Sequence, residues 1–183
     1  MSDLTPEFKK VDIEGISVAL VASRFNQEYV DQMLENATKS LQEEGLPADE
    51  IEVFRVPGAN ELPFVAGMLA KEFEFDCIIL LGLVLAGKTS HHDVIAYSTA
   101  EACQRISFEL DIPVINGIIV VNDEEQAKDR CSADKMNRGR EFALAGLEMA
   151  ALARSLSSRN MEIDFDTFAG DLLDLNDEED WKS

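Results

Sequence analysis

The stretch Gly87-Lys88-Thr89-Ser90-His91-His92-Asp93 gathers more reactive side chains than any other part of the chain. It follows an apolar run and precedes a helical pattern, so free N–H groups and the dipole of a helix start favour an anion there. Gly87 lets the backbone turn closely, Lys88 adds positive charge, and Thr89 or Ser90 offers a hydroxyl. His91 and His92 are the only 2 histidines of the chain, and imidazole is the side chain best suited to moving protons near neutral pH. Ser90 with Asp93 three residues on also fits a capping box, so a capped helix start with incidental histidines stands beside the catalytic reading. A metal site is not expected. Adjacent helical residues point about 100° apart, and there is no third histidine to complete a shell.

Two further positions carry chemistry. Arg130, on a short helix, suits bidentate phosphate binding, although a solvated guanidinium fits the same position. Phe25, beside Asn26 and just after an apolar run, either stacks on a planar ring or joins the core.

These residues are useful only if the fold brings them together. Short apolar runs at Ile16–Ala22, Ile51–Val56, Cys77–Ala86 and Pro113–Val121 read as strands buried on both faces. Between and after them, helical spacing predicts helices over Glu28–Glu44, Asn60–Phe73, His91–Leu110, Glu124–Arg130 and Asn137–Leu156. Gly45 stops the first, and Pro63 sits in the first turn of the second, where a missing N–H costs little. Strand and helix alternate four times, which implies right-handed crossovers and one parallel sheet with helices on both faces. Ligands of such folds bind beyond the carboxyl ends of the strands. The segments to inspect are therefore Ser23–Asn26, Val56–Glu61, Gly87–Asp93 and Asn116–Asp123.

The final predicted helix is apolar nearly all round, from Phe142 to Ala153. A helix of that kind needs cover on most of its surface. Gly146 in its middle, unfavourable by about 1 kcal/mol against Ala, signals close backbone approach. Self-association is the favoured explanation, with burial inside one chain as the other.

The 183 residues carry 36 Asp+Glu against 16 Lys+Arg, a formal charge of −20. Such a surface excludes nucleic acid and anionic membrane as partners. Residues 160–183 alone hold 9 acids and 1 base. Hydrophobic residues make up 46%, enough for a real core. The 3 cysteines, Cys77, Cys103 and Cys131, are widely spaced and read as small buried hydrophobes rather than a disulfide or zinc framework. Without a basic-then-apolar leader or a run long enough to span a bilayer, the expected location is the cytoplasm.

Together, six motifs in order resemble 6,7-dimethyl-8-ribityllumazine synthases. They are Ser23-Arg-Phe-Asn26, Val56-Pro-Gly-Ala-Asn-Glu-Leu-Pro63, Gly82…Gly87-Lys-Thr-Ser-His91, Pro113-Val-Ile, Gln126-Ala…Arg130, and Asn137-Arg-Gly139…Leu147-Glu-Met149-Ala. The resemblance runs from about Val11 to Leu156. It implies an α/β, flavodoxin-like fold, a three-layer αβα sandwich with a four-stranded parallel sheet. It implies a domain over residues 11–157 followed by an acidic extension over 158–183. It also implies a homopentamer, in some members twelve pentamers in a hollow icosahedral shell, with active sites between neighbouring subunits.

The implied reaction condenses 5-amino-6-(D-ribitylamino)uracil with 3,4-dihydroxy-2-butanone 4-phosphate, the penultimate step of riboflavin synthesis, with no cofactor or metal. Carried over by motif, His91 moves protons during imine formation and phosphate loss. Lys88, Thr89 and Arg130 hold the phosphate. Phe25 stacks on the pyrimidine, and Asn26, Ala59 and Glu61 line the pyrimidine and ribityl pocket. Asn60 and Asn116 stand where the family usually has aromatics, so amide groups replace apolar walls. Ala86 replaces a usual cation, and His92 a usual aromatic. A second reading follows from these departures: a weak or inactive paralogue that forms a shell or binds a ligand. A third is an enzyme of the same fold acting on another anionic carbonyl compound. The tail beyond Asn160 reads either as a disordered solubilising extension or as a short docking helix around Phe168–Leu175.

Overall fold

Four parallel strands form one sheet in the order β2-β1-β3-β4. In the computed structural model, which describes the backbone of residues 7–174 and the side chains of residues 7–158, these are β1 (Val18–Ser23), β2 (Ile51–Val56), β3 (Cys77–Leu85) and β4 (Val114–Val121). The helices are α1 (Gln27–Glu43), α2 (Leu62–Glu72), α3 (His91–Leu110), α4 (Glu124–Cys131) and α5 (Arg138–Asp174). A 3₁₀ turn, Ala59–Glu61, takes the first residues assigned from sequence to the second helix, and another, Ala48–Glu50, precedes β2.

Alternate residues of the central strands feed two cores. Leu20, Ala22, Ile79 and Leu81 pack with Met33, Ala37 and Leu41 of α1, Ala127 of α4 and Ala143, Leu147 and Ala150 of α5. Ala19, Val21, Ile78 and Leu80 pack on the other side with Leu62, Ala66 and Leu69 of α2 and Cys103 of α3. The result is the αβα sandwich expected from the apolar strands. β2 is an edge strand and departs from the doubly buried pattern, with Val53 exposed.

α1 ends as its sequence requires. Gly45 has φ 104°, its N–H donates to the carbonyl of Gln42, and the N–H of Leu46 donates to that of Leu41. The capping box expected at Ser90 and Asp93 is not made. The Ser90 hydroxyl caps nothing, and the Asp93 and Val94 N–H groups go instead to the Ser90 backbone carbonyl at 3.1 and 3.2 Å. A side-chain cap does occur at α4, where Asp123 accepts from the Gln126 N–H at 2.8 Å.

Much of the apolar surface of α5 is used inside the chain. A Cβ on Gly146 would lie 2.8 Å from Ile79 Cδ1, so the close approach read from sequence is to the chain's own β3. Leu152 and Leu156, each 51% exposed, are left for another surface. At the amino end of the sheet Arg154 grips Asp76 with Nε and Nη2, at 2.5 and 2.9 Å, and donates to the carbonyls of Glu14 and Gly15. Asp76 in turn accepts from the Ser17 N–H at 2.8 Å. The backbone of α5 continues past the predicted end at Leu156 to Asp174. Side chains from residue 159 on, and with them the docking reading of Phe168–Leu175, lie outside the described residues.

The first turn of α5 touches α1 backbone to backbone. A Cβ at Gly139 would lie 2.3 Å from the Met33 carbonyl oxygen, whereas at Gly67, inside α2, the nearest atom is Ile106 Cδ1 at 3.9 Å. Gly139→Ala is therefore expected to destabilise by about 1–3 kcal/mol through overpacking. Gly67→Ala should stabilise by up to about 1 kcal/mol through helix propensity. Urea unfolding midpoints moving in opposite directions would bear this out; equal midpoints would refute the backbone contact.

Candidate active site

β3 outlasts β1 and opens a pocket at the carboxyl end of the sheet. The cavity, about 420 Å³, is lined by Phe25 and Asn26 from the β1–α1 loop, by Ala59, Asn60 and Glu61, by Leu83–Leu85, and by His91 and Ile95 of α3. This volume suits a small organic ligand. Six of the ten residues singled out from sequence thus meet in one cavity on the α2–α3 side of the sheet.

Backbone bonds hold the two loops together. The Arg24 N–H donates to the Val56 carbonyl at 2.9 Å, and the Phe25 N–H to that of Pro57 at 3.0 Å. The Phe25 ring lies over Gly58, where a Cβ would come within 3.1 Å of Cδ2 and 3.0 Å of Glu61 Oε2. Phe25 is 71% exposed, so the core alternative fails and the ring offers its surface to the pocket. Gly82 provides room beneath: a Cβ there would meet Leu62 Cδ1 at 3.0 Å and Ala59 Cβ at 3.4 Å. The 3₁₀ turn can therefore sit directly on β3.

His91 is the first residue of α3, exposed at the mouth of the pocket beside the free N–H groups of the helix start. Lys88 and Thr89 are exposed on the loop that leads into it but do not line the cavity. His92 does not line the cavity. Its Nδ1 is buried with no hydrogen-bond partner, and its Nε2 lies 3.5 Å from Asp93 Oδ1.

Two predicted residues are elsewhere in the chain. Asn116, exposed on edge strand β4, accepts from the Ile118 N–H at 3.1 Å. It is level with Leu80 in the register, about 10 Å before Leu83 at the rise of a β-strand. Arg130 lies on α4, which packs with α1 and α5 on the opposite face of the sheet. It is half-buried and makes no ion pair among the described residues, whereas Arg55, Arg105, Arg138 and Arg154 are each paired with a carboxylate.

Leu83, Val84, Leu85 and Ile95 also line the cavity, and sequence reasoning did not single them out. For Leu83–Leu85 the signal was the greater length of the third apolar run; Ile95, on α3, had none. The cysteines take no part. All three are buried and free. Burial pushes the thiols of Cys103 and Cys131 up to about 11, against a lowering influence of Arg130 on Cys131. Cys77 is raised by burial first and by Asp76 second. None supplies a thiolate near neutral pH. A fixed aromatic face, a carboxylate and an exposed imidazole at a helix start can bind a planar polar ring and move protons beside it.

Residues 15–154 match the family model described as 6,7-dimethyl-8-ribityllumazine synthase. Among curated proteins of that name, the chain is 37% identical over 143 residues to one from Thermococcus onnurineus, covering 78% of this chain and 92% of the relative. It is 37% identical over 147 residues to one from Aquifex aeolicus, covering 80% and 96%. It is 39% identical over 143 residues to one from Stenotrophomonas maltophilia strain R551-3, covering 78% and 92%. With the match spanning every strand and the whole cavity, the chain belongs to the 6,7-dimethyl-8-ribityllumazine synthase family.

Proposed function

We propose that the cavity condenses 5-amino-6-(D-ribitylamino)uracil with 3,4-dihydroxy-2-butanone 4-phosphate to 6,7-dimethyl-8-ribityllumazine, making the chain a transferase of riboflavin biosynthesis. The observation that carries this reading is the meeting of Phe25, Glu61 and His91 around one cavity of about 420 Å³. Phe25 stacks on the pyrimidine, with Asn60, Ala59 and Glu61 around the ring and its ribityl chain. His91 takes and returns protons as the pyrimidine amine attacks the ketone, as water leaves to form the imine, and as phosphate departs. Lys88, Thr89 and the N–H groups at the start of α3 receive the phosphate.

Arg130 and Asn116 join this site from a neighbouring copy. In one chain both lie outside the cavity, yet Arg130 has no carboxylate partner among the described residues, which suits a guanidinium kept for phosphate. Exposed apolar side chains on α2 and α3, among them Phe64, Tyr97 and Phe108, supply a surface for such a copy. A homopentamer, alone or as twelve pentamers in a shell, is the assembly in keeping with this arrangement. We assign the catalytic unit to residues 11–157 and treat 158–183 as an acidic extension. No helix among the described residues is long and apolar enough to cross a membrane, and three free buried thiols suit a reducing, cytoplasmic setting.

Lumazine formation, followed optically from the two substrates, tests the reaction. His91→Ala should lower kcat by about 100-fold or more, the usual loss for a general acid–base. Undiminished turnover would remove His91 from the proton role, and no turnover by the unaltered protein above the uncatalysed rate would sink the reaction itself.

The shared site has its own test. His91→Ala and Arg130→Ala subunits, each nearly inactive alone, should regain up to about a quarter of full activity when refolded together in equal amounts. Random mixing leaves that share of intersubunit sites intact. No recovery in mixed oligomers would place both residues in one subunit's site.

A further inference from the structure

The end of β3 poses a hydrogen-bonding problem. β1 pairs with β3 from Val18↔Cys77 only as far as Ala22↔Leu81, while β3 goes on pairing with β4 to Leu85↔Val121. Beyond Leu81 the β1 side of β3 has no strand beside it. Leu83 is 2% exposed, and a buried carbonyl without a donor is costly. The donor it finds is a side chain: Asn26 Nδ2 lies 2.8 Å from the Leu83 carbonyl oxygen.

Two demands meet at this position. The backbone of Asn26 is left-handed, φ 53° and ψ 42°, where Gly, Asn and Asp sit at least cost. The side chain must also donate an N–H. Glycine has none, and an ionised aspartate only accepts. Of these three, only asparagine meets both. The Asn26 carbonyl meanwhile accepts from the N–H groups of Tyr29 and Val30, which starts α1. One residue earlier, the Phe25 N–H is bonded to Pro57, and a few residues beyond Leu83 the chain delivers His91.

We propose that Asn26 is a positioning residue whose amide stands in for the missing β1 partner of Leu83, holding the Phe25 side of the pocket against the strand whose end leads to His91. The inference rests on the condensation assigned above and moves Asn26 from ring contact to brace. Stacking on Phe25 survives its loss, while alignment of the bound ring with His91 does not.

The test compares the full-length protein with Asn26→Gly and Asn26→Asp. Asn26→Gly keeps the left-handed backbone and removes the donor; kcat should fall about tenfold while KM for the pyrimidine changes by less than about threefold. Asn26→Asp sets a carboxylate against the Leu83 carbonyl, which favours the neutral carboxyl and raises its titration. Its activity relative to the unaltered protein at the same pH should therefore rise as pH falls from about 7 to about 5, because the protonated carboxyl donates again. Glu61 and His91 are the titratable groups lining the same cavity, and Asn26→Gly, which adds no charge there, is the reference profile for them.

A ratio independent of pH, or an Asn26→Gly kcat within about twofold of the unaltered protein, would overturn the brace. Hydrogen–deuterium exchange of peptides covering 83–90, without substrate and near pH 7, supplies a readout independent of turnover. Faster exchange in both variants is expected, and unchanged protection overturns the proposal. If the unaltered protein makes no lumazine but both variants exchange faster, the reaction falls and the brace stands.

Discussion

Strand β3 is apolar on both faces, and the need to cover both governs the rest of the molecule. Its residues from Cys77 to Val84 are buried, so water has to be excluded from two sides at once. α1, α4 and α5 do this on one side, α2 and α3 on the other. Close cover requires places with little side chain, and Gly82 and Gly146 are two of them. Because β3 lies between β1 and β4 and outruns β1, its end emerges between the Phe25 loop and the start of α3. The pocket is the space left there.

The layers and most element ends were legible because apolar runs and helical spacing are strong, local signals. His91 was placed at its helix start because Gly87–Ser90 breaks the pattern ahead of it. Phe25 was ambiguous in sequence, since an aromatic after a strand fits a core as well as a ligand; only the Gly58 turn beneath it decides. The Ser90–Asp93 cap, one of two readings of that stretch, is not formed, because spacing reports reach and not rotamer, and the backbone carbonyl of Ser90 takes the N–H groups instead. Asn116 and Arg130 could be identified as candidates by motif, but not located. The place of Arg130 depends on how α4 packs and that of Asn116 on the register of edge strand β4, and neither is written in the residue itself.

The formal charge of −20 sets the electrostatic terms for a phosphorylated substrate. Salt limits long-range repulsion to roughly 8 Å, so the outcome is decided by charges at the mouth. Among the described residues four arginines are spent on carboxylates, including Arg55 on Asp31 and Arg138 on Glu141. Lys88 is exposed on the loop ahead of α3, and Arg130 is half-buried and unpaired among the described residues. The molecule is acidic in bulk, yet Lys88 next to the pocket and Arg130 on α4 are cations not paired with a carboxylate among the described residues.

The clamp of Arg154 on Asp76, Glu14 and Gly15 lies at the end of the sheet opposite the pocket. It ties α5, the entry to β3 and the segment before β1 with one guanidinium, far from the pocket. Folding and recognition are thereby given separate ends of the same sheet. Asn60, which lines the pocket, can change without touching the closure at the other end, so the pocket is free to diverge while the scaffold holds.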